Sequence, residues 1–160
     1  MLKRITVKRP ADELYAFWHD FRNLPQIMDY LESVEVNGTR SRWKAKAPAN
    51  ISLDWEIEQV EDRPNELIAW RSVKDAKMQA AGLVSFKPAP AEWGTEVTLS
   101  LDFDPPGGAI GEAAAKLMGA DPKLIAQKAL RRFKALLECG EIPTLKHQPA
   151  GRNAGRDNDE

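Results

Sequence analysis

The stretch DPKLIAQKALRRFKALLEC, Asp121 to Cys139, decides the fold. Its apolar residues Ala126, Ala129, Leu130, Phe133, Leu136 and Leu137 recur at helical spacing on one side, whereas Lys128, Arg131, Arg132 and Lys134 fall on the other. This pattern predicts an amphipathic helix with one buried face. Asp121 is placed to cap the free amides of the first turn, Pro122 suits the first helical position, and Gly140 stands where a left-handed stop is wanted. At about 1.5 Å of rise per residue the helix spans roughly 27 Å, enough to cross a whole sheet.

The chain before the helix supplies that sheet. It is divided by turn formers at Asn37-Gly38, Ala47 to Asn50, Arg63-Pro64-Asn65, Lys74 to Lys77 and Pro88 to Gly94. Ile51, Leu53, Trp55 and Ile57 interleave with Ser52, Asp54, Glu56 and Glu58. Val97, Leu99, Leu101 and Phe103 interleave with Glu96, Thr98, Ser100 and Asp102 in the same way. One apolar and one wet face predict an antiparallel sheet covered on one side. The turn at Ala47 to Asn50 also predicts a register, with Trp43 facing Trp55, Lys44 opposite Asp54 and Arg42 opposite Glu56. Each such cross-strand contact contributes about 0.2–1 kcal/mol, too little to drive folding but enough to select a register.

At the amino end, Leu2 to Val7 alternates as a short strand. Pro10 then opens a helix with Asp12 and Glu13 in its first turn and Leu14, Phe17 and Trp18 on its inner side. Asn23 to Tyr30 reads as a second short helix. After Phe103, the run Asp104 to Gly108 must end the last strand, and Ile110 to Met118 is alanine-rich and helical. The expected order is β-αα-ββββββ-αα. It is an α+β arrangement, a curved antiparallel sheet wrapped around the long C-terminal helix with two short helices after the first strand. Residues 1–142 form one domain. Residues 143–160, poor in apolar side chains, read as a flexible tail.

Composition narrows the function classes. Lys and Arg number 23 against 24 acidic residues among 160, so no global charge steers the chain to nucleic acid or an anionic membrane. The single cysteine, Cys139, has no partner for a disulfide or a zinc site, which fits a reducing cytoplasm. No window approaches the roughly 20 apolar residues of a membrane span, and the opening MLKRITVKRP is too polar for a signal peptide. The expectation is no stable membrane insertion, no metal, no cofactor, and a monomer or weak dimer.

With Glu13-Leu14-Tyr15-Ala16-Phe17-Trp18, Asn23-Leu24-Pro25, Glu61-Asp62-Arg63-Pro64, Leu67-Ile68-Ala69-Trp70, Gly94-Thr95-Glu96-Val97, the Asp104 to Gly108 turn and Leu130-Arg131-Arg132-Phe133, the chain resembles a known family. This is the polyketide cyclase/dehydrase, coenzyme Q-binding START-like branch of the SRPBCC superfamily. The resemblance covers roughly Met1 to Ile142 and rests mainly on fold-forming positions. It implies the helix-grip fold, with a deep apolar cavity between sheet and C-terminal helix that different members use for lipids, quinones, polyketides or hormones. Some members are aromatases or cyclases, and some bind a ribosome or another protein.

On that basis the expected lining is aromatic: Trp43, Trp55, Trp70, Phe86, Phe103 and Phe133. Ile27, Met28, Leu101 and Leu137 complete it, and Asp29, Tyr30 and Arg71 are the candidate polar contacts. No catalytic residue is assigned. His19 ends a surface helix without a sequence partner, and Asp54, Glu56 and Glu58 share the wet face with Arg42 and Lys44. Gly107, Gly108 and Gly111 lack the closing Gly-Lys-Ser/Thr of a phosphate loop, and Cys139 ends its helix, where the dipole does not activate it. The leading expectation is binding, transport or sequestration of a hydrophobic small molecule. The alternatives are a cyclase or dehydratase, or a module that docks on protein or ribosome through Lys128, Arg131, Arg132 and Lys134.

Overall fold

A computed structural model of the protein describes residues 2–45, 53–76, 78–90, 94–104 and 122–140. Strand β1 (Leu2–Val7) is followed by helix α1 (Ala11–His19) and a 3-10 helix (Phe21–Gln26). Six strands come next: β2 (Leu31–Asn37), β3 (Arg40–Ala45), β4 (Leu53–Arg63), β5 (Leu67–Ser72), β6 (Gln79–Pro88) and β7 (Thr95–Asp104). Helix α2 (Pro122–Cys139) follows. The strands form one seven-stranded antiparallel sheet in the order β1-β7-β6-β5-β4-β3-β2. The chain is thus the expected α+β helix-grip. The Ala47 to Asn50 turn, Trp93, the Ile110 to Met118 helix, the Asp121 cap and the tail from residue 143 lie outside the described residues.

Helix α2 buries Ala126, Ala129, Leu130 and Phe133, the stripe its periodicity predicts, and rests against β1 and β7. Gly140 has φ +77° and its amide donates to the Leu136 carbonyl at 2.9 Å, the left-handed stop expected at the helix end. Helix α1 crosses the same inner face over β5 and β6, with Leu14 and Trp18 turned inward. Among the described residues, no helix is long and apolar enough to cross a membrane.

Two local readings are refined. The second helix is a 3-10 helix over Phe21–Gln26, earlier than the short helix expected over Asn23 to Tyr30. Asp20 is the reason: its carboxylate accepts from the Arg22 amide at 3.1 Å and nucleates the turn earlier. The predicted β3–β4 register is found residue for residue, Arg42 opposite Glu56, Trp43 opposite Trp55 and Lys44 opposite Asp54. The ion pairs, however, run diagonally, Arg40 to Glu56 at 3.8 Å and Arg42 to Asp54 at 3.6 Å. Long guanidinium side chains reach the neighbour two positions along as readily as the one directly across.

Candidate functional site

Strand alternation sets Trp43, Trp55 and Trp70 side by side on the inner face of β3, β4 and β5. Their ring centroids are 6.2 Å apart for Trp43–Trp55 and 6.2 Å for Trp43–Trp70. Phe21 of the 3-10 helix stands edge-on to Trp43 at 5.6 Å and to Trp70 at 5.4 Å. Trp18 of α1 stacks on Trp70 at 6.2 Å and 21°. Phe133 of α2 then meets Trp18 at 5.6 Å and Phe17 at 5.2 Å. The long helix, which rests directly on β1 and β7, is thus linked to the β3–β5 indoles through α1. Trp18, fully buried, is the residue that makes this link, and it was not among the expected lining. Its signal in the sequence was its place one turn after Leu14 on the inner stripe of α1.

The indole nitrogens of this wall differ in one respect. Trp43 Nε1 donates to Ser41 Oγ at 2.8 Å, a pair buried on the same strand face. Trp18 Nε1 and Trp55 Nε1 are buried and find no acceptor among the described residues, as does the amide nitrogen of Gln59. Gln59 faces Trp70 across β4–β5. Leaving a buried donor unmade costs about 1–3 kcal/mol.

A pocket lies at one end of the sheet. Where β5 ends, β6 begins and β7 ends, Ser72, Gln79, Ala80, Phe103 and Asp104, with Arg71, Ala81 and Asp102 at its outer side, line a space of about 270 Å³ that opens outward. Ser72 is fixed there, donating to Gln79 Oε1 at 3.2 Å and accepting from the Ala80 amide at 3.0 Å. Phe103 meets the edge of Tyr30 at 6.4 Å, and the Tyr30 hydroxyl donates to Met28 Sδ at 3.4 Å. Complete burial, with the Asp29 charge adding to it, pushes the Tyr30 phenol well above its ordinary value. Ile27 and Leu101 are buried on the same inner side. Arg71 departs from the expectation of an interior polar contact. It stands opposite Glu58 and Ala81, on the sheet face away from Trp70, and reaches only the rim of the pocket.

Asp29 closes the flank. Its carboxylate accepts from Lys128 Nζ at 2.8 Å and from Arg132 at 3.4 Å, tying the loop before β2 to α2. Burial alone would raise this carboxyl. The Lys128 hydrogen bond and the charges of Lys128 and Arg132 outweigh that and hold it below its ordinary value. A depressed folded value gives stability that is full above the unfolded pKa and is lost as pH falls through the folded one. Asp29 and Lys128 are each half-exposed, so screening limits the contribution to about 1 kcal/mol. Asp29→Asn is expected to lower the unfolding free energy by about 0.5–1 kcal/mol at neutral pH, with the deficit shrinking below about pH 4. Urea titrations of both proteins at the two pH values test this; a deficit unchanged in acid would contradict it.

The opposite end is shut by α1. The β4–β5 register shifts between Gln59 and Glu61, so Asp62, opposite buried Ile68, turns to the inner side. Its carboxylate accepts from the Tyr15 hydroxyl and lies 3.0 Å from His19 Nε2, and the Tyr15 and His19 rings stack at 5.2 Å. Burial, reinforced by Asp62, pushes Tyr15 up to about 12. His19 is half-exposed, as expected, but it has a partner that simple strand alternation conceals. Phe86 meets Tyr15 at this end at 6.4 Å. Leu137, half-buried, lies where its carbonyl accepts from Arg9 at 2.9 Å. Phe86 and Phe133 thus pack against α1, while Trp55, Met28 and Phe103 lie toward the open end. Among the described residues no three His, Cys, Asp or Glu side chains converge as metal ligands.

Comparison with known proteins places this arrangement. A family model described as polyketide cyclase / dehydrase and lipid transport matches residues 3–138. A crystal structure from Deinococcus radiodurans is 38% identical and superposes with a TM-score of 0.72 over 87% of this chain and 96% of that one. An uncharacterised 17.2 kDa protein of Streptomyces lincolnensis is 28% identical over 135 residues, 84% of this chain and 86% of that protein. The Zhui aromatase/cyclase of a Streptomyces species shares the fold at 18% identity, with a TM-score of 0.62 over 88% of this chain and 96% of that one.

Proposed function

We propose that this chain, which belongs to the polyketide cyclase / dehydrase and lipid transport family, binds a hydrophobic small molecule such as a lipid, quinone or polyketide, carrying or sequestering it. The observation that carries the reading is an inner face walled by the indoles of Trp43, Trp55 and Trp70, in a sheet that has an outward-opening pocket of about 270 Å³ beside Phe103 at its β5–β6–β7 end. Small-molecule sites combine such an apolar wall with few polar groups. Packing of Trp70 under Trp18 and Phe21 closes the deeper part, so the ligand lies against Trp55, Met28, Tyr30 and Phe103.

A cyclase or dehydratase demands an acid–base pair at the ligand. Tyr30 supplies a phenol that stays protonated, but the carboxylate beside it, Asp29, is already engaged by Lys128 and Arg132. The His19–Asp62 pair belongs to the other end: from Ile68, opposite Asp62, to Ser72 at the pocket is four residues, roughly 13 Å of strand. Docking through the basic helix face is weaker still, since Lys128 and Arg132 are engaged by Asp29 and Lys134 by Glu138. Native mass spectrometry of freshly purified protein is expected to show an adduct that organic extraction removes. A homogeneous unliganded mass, with no uptake of an apolar fluorescent dye, would remove the proposal.

A further inference from the structure

We infer that β2 is a docking edge for a second copy of this chain, the two β2 strands pairing antiparallel, centred on Val34, into one continuous sheet. The sheet ends on β1 at one side and on β2 at the other. The β1 edge is covered by α2, where Lys134 Nζ donates to the Thr6 carbonyl and Glu138 accepts from the Lys8 amide at 2.7 Å. The β2 edge has no such cover. The bond from the Gln59 amide to the Thr39 carbonyl, 2.9 Å, fixes which way each backbone turns. Antiparallel partners alternate between exchanging both bonds and exchanging none. Ser41 and Trp43 therefore turn toward β4, and Arg40, Arg42 and Lys44 toward β2, where Asn37, Glu35 and Ser33 meet them. Val34 and Val36 are left with N–H and C=O directed at the free side, and these groups find no partner among the described residues. An open row of this kind is a template for one more strand, and Val36, 42% exposed, adds apolar surface to it.

Charge on the wet face selects β2 itself as that strand. Pairing centred on Val34 overlaps the whole of Leu31–Asn37 and sets Val34 against Val34, with Ser33 opposite Glu35 of the second copy. Slipping by one residue mixes the two faces, and slipping further one way sets Glu35 against Glu35. Slipping the other way carries Val36 past the end of the strand. In the centred register the small Ser33 of the second copy separates Glu35 from Lys44 of the second copy, which faces that serine on β3. Lys44 and Glu35 have no ion pair among the described residues. Arg42, across from both Glu35 and Glu56, is engaged with Asp54, and Arg40 with Glu56. The charges each chain leaves over are thus the ones the seam brings together, and the two-fold axis counts them twice. An extended segment of an unrelated protein would have to supply its own cation at that place, whereas a second copy carries it.

Sedimentation equilibrium of the full chain from about 10 μM to about 1 mM tests this, with amide exchange followed by 15N–1H spectra at both ends of the range. A seam of one short strand is a small interface, so half-association is expected near about 100 μM. The Val34 and Val36 amides should exchange freely in dilute protein and become protected in concentrated protein, while the Glu35 amide, bonded to β3, stays protected in both. Val36→Pro removes an outward N–H and none of the β2–β3 bonds, a place where an edge strand tolerates proline, and should abolish association. Ser33→Glu, which sets a carboxylate opposite Glu35 twice, should weaken it about tenfold, and Ser33→Lys should strengthen it. A chain still monomeric at the highest concentration, or Val34 and Val36 amides equally protected at both, overturns the inference. So does a dimer indifferent to both Ser33→Glu and Val36→Pro, which would lie on another surface. The wild-type measurements decide the matter even if a variant fails to fold, and neither outcome touches the ligand reading.

Discussion

Gly82→Ala should lower the unfolding free energy by about 3 kcal/mol, a large loss for one methyl group. Gly82 lies opposite Trp70 in the β5–β6 register, and the indole of Trp70 lies over its backbone. A Cβ built there falls 2.2 Å from Trp70 Cζ2, 2.3 Å from Cε2 and 2.7 Å from Nε1. The ring has nowhere to retreat, because Trp18 stacks on it and Phe21 and Trp43 hold its edges. In an unencumbered strand the same substitution stabilises by about 0.5–1 kcal/mol through lost backbone freedom of the unfolded chain, so the sign itself is diagnostic. The test is a double-mutant cycle with Trp70→Leu, read by urea unfolding. Alanine at position 82 should cost much less in the leucine background, a coupling of about 1.5 kcal/mol or more. A neutral Gly82→Ala, or the same cost in both backgrounds, would refute the packing account.

The contrast between Trp70 and its glycine shows what sequence can and cannot convey. Alternation assigns Trp70 to the inner face, and the antiparallel sheet follows from period two and turn formers. Even the Trp43–Trp55 register was legible, because opposite charges flank it on the wet face. That a glycine on the next strand makes room for the ring depends on a pairing of residues 12 apart that no local pattern marks. The same blindness applies to Asp62. A strict period of two puts Glu61 inside, and one extra residue at Val60 hands that place to Asp62, which finds Tyr15 and His19. The basic stripe of α2 read as a free surface for a like reason, its partner Asp29 being 99 residues away from Lys128. Positions set by one element's own period were readable, whereas positions set by a bulge or by contact between elements required the fold.

Trp18→Ala carries the other large effect, an expected loss of about 3–5 kcal/mol. Trp18 is fully buried, and it is the ring through which Phe133 of the long helix reaches Trp70 of the sheet. Removing it deprives both neighbours of contacts at once and leaves a space walled by Phe17, Trp70 and Phe133. An apolar space of that kind stays dry and takes up aromatic solutes. Added indole should therefore restore part of the loss, about 1.4 kcal/mol at tenfold its dissociation constant, and should stabilise the variant more than wild type. Trp18→Phe separates the two contributions of the side chain, since it keeps a ring in the stack and deletes only the N–H and the second ring. Its cost should fall well below that of Trp18→Ala. If Trp18→Ala were instead nearly neutral, the direct packing of α2 on β1 and β7 would suffice to hold the helix to the sheet. Phe133 would then be free to line the ligand site, which the ring contacts of Trp18 otherwise deny it.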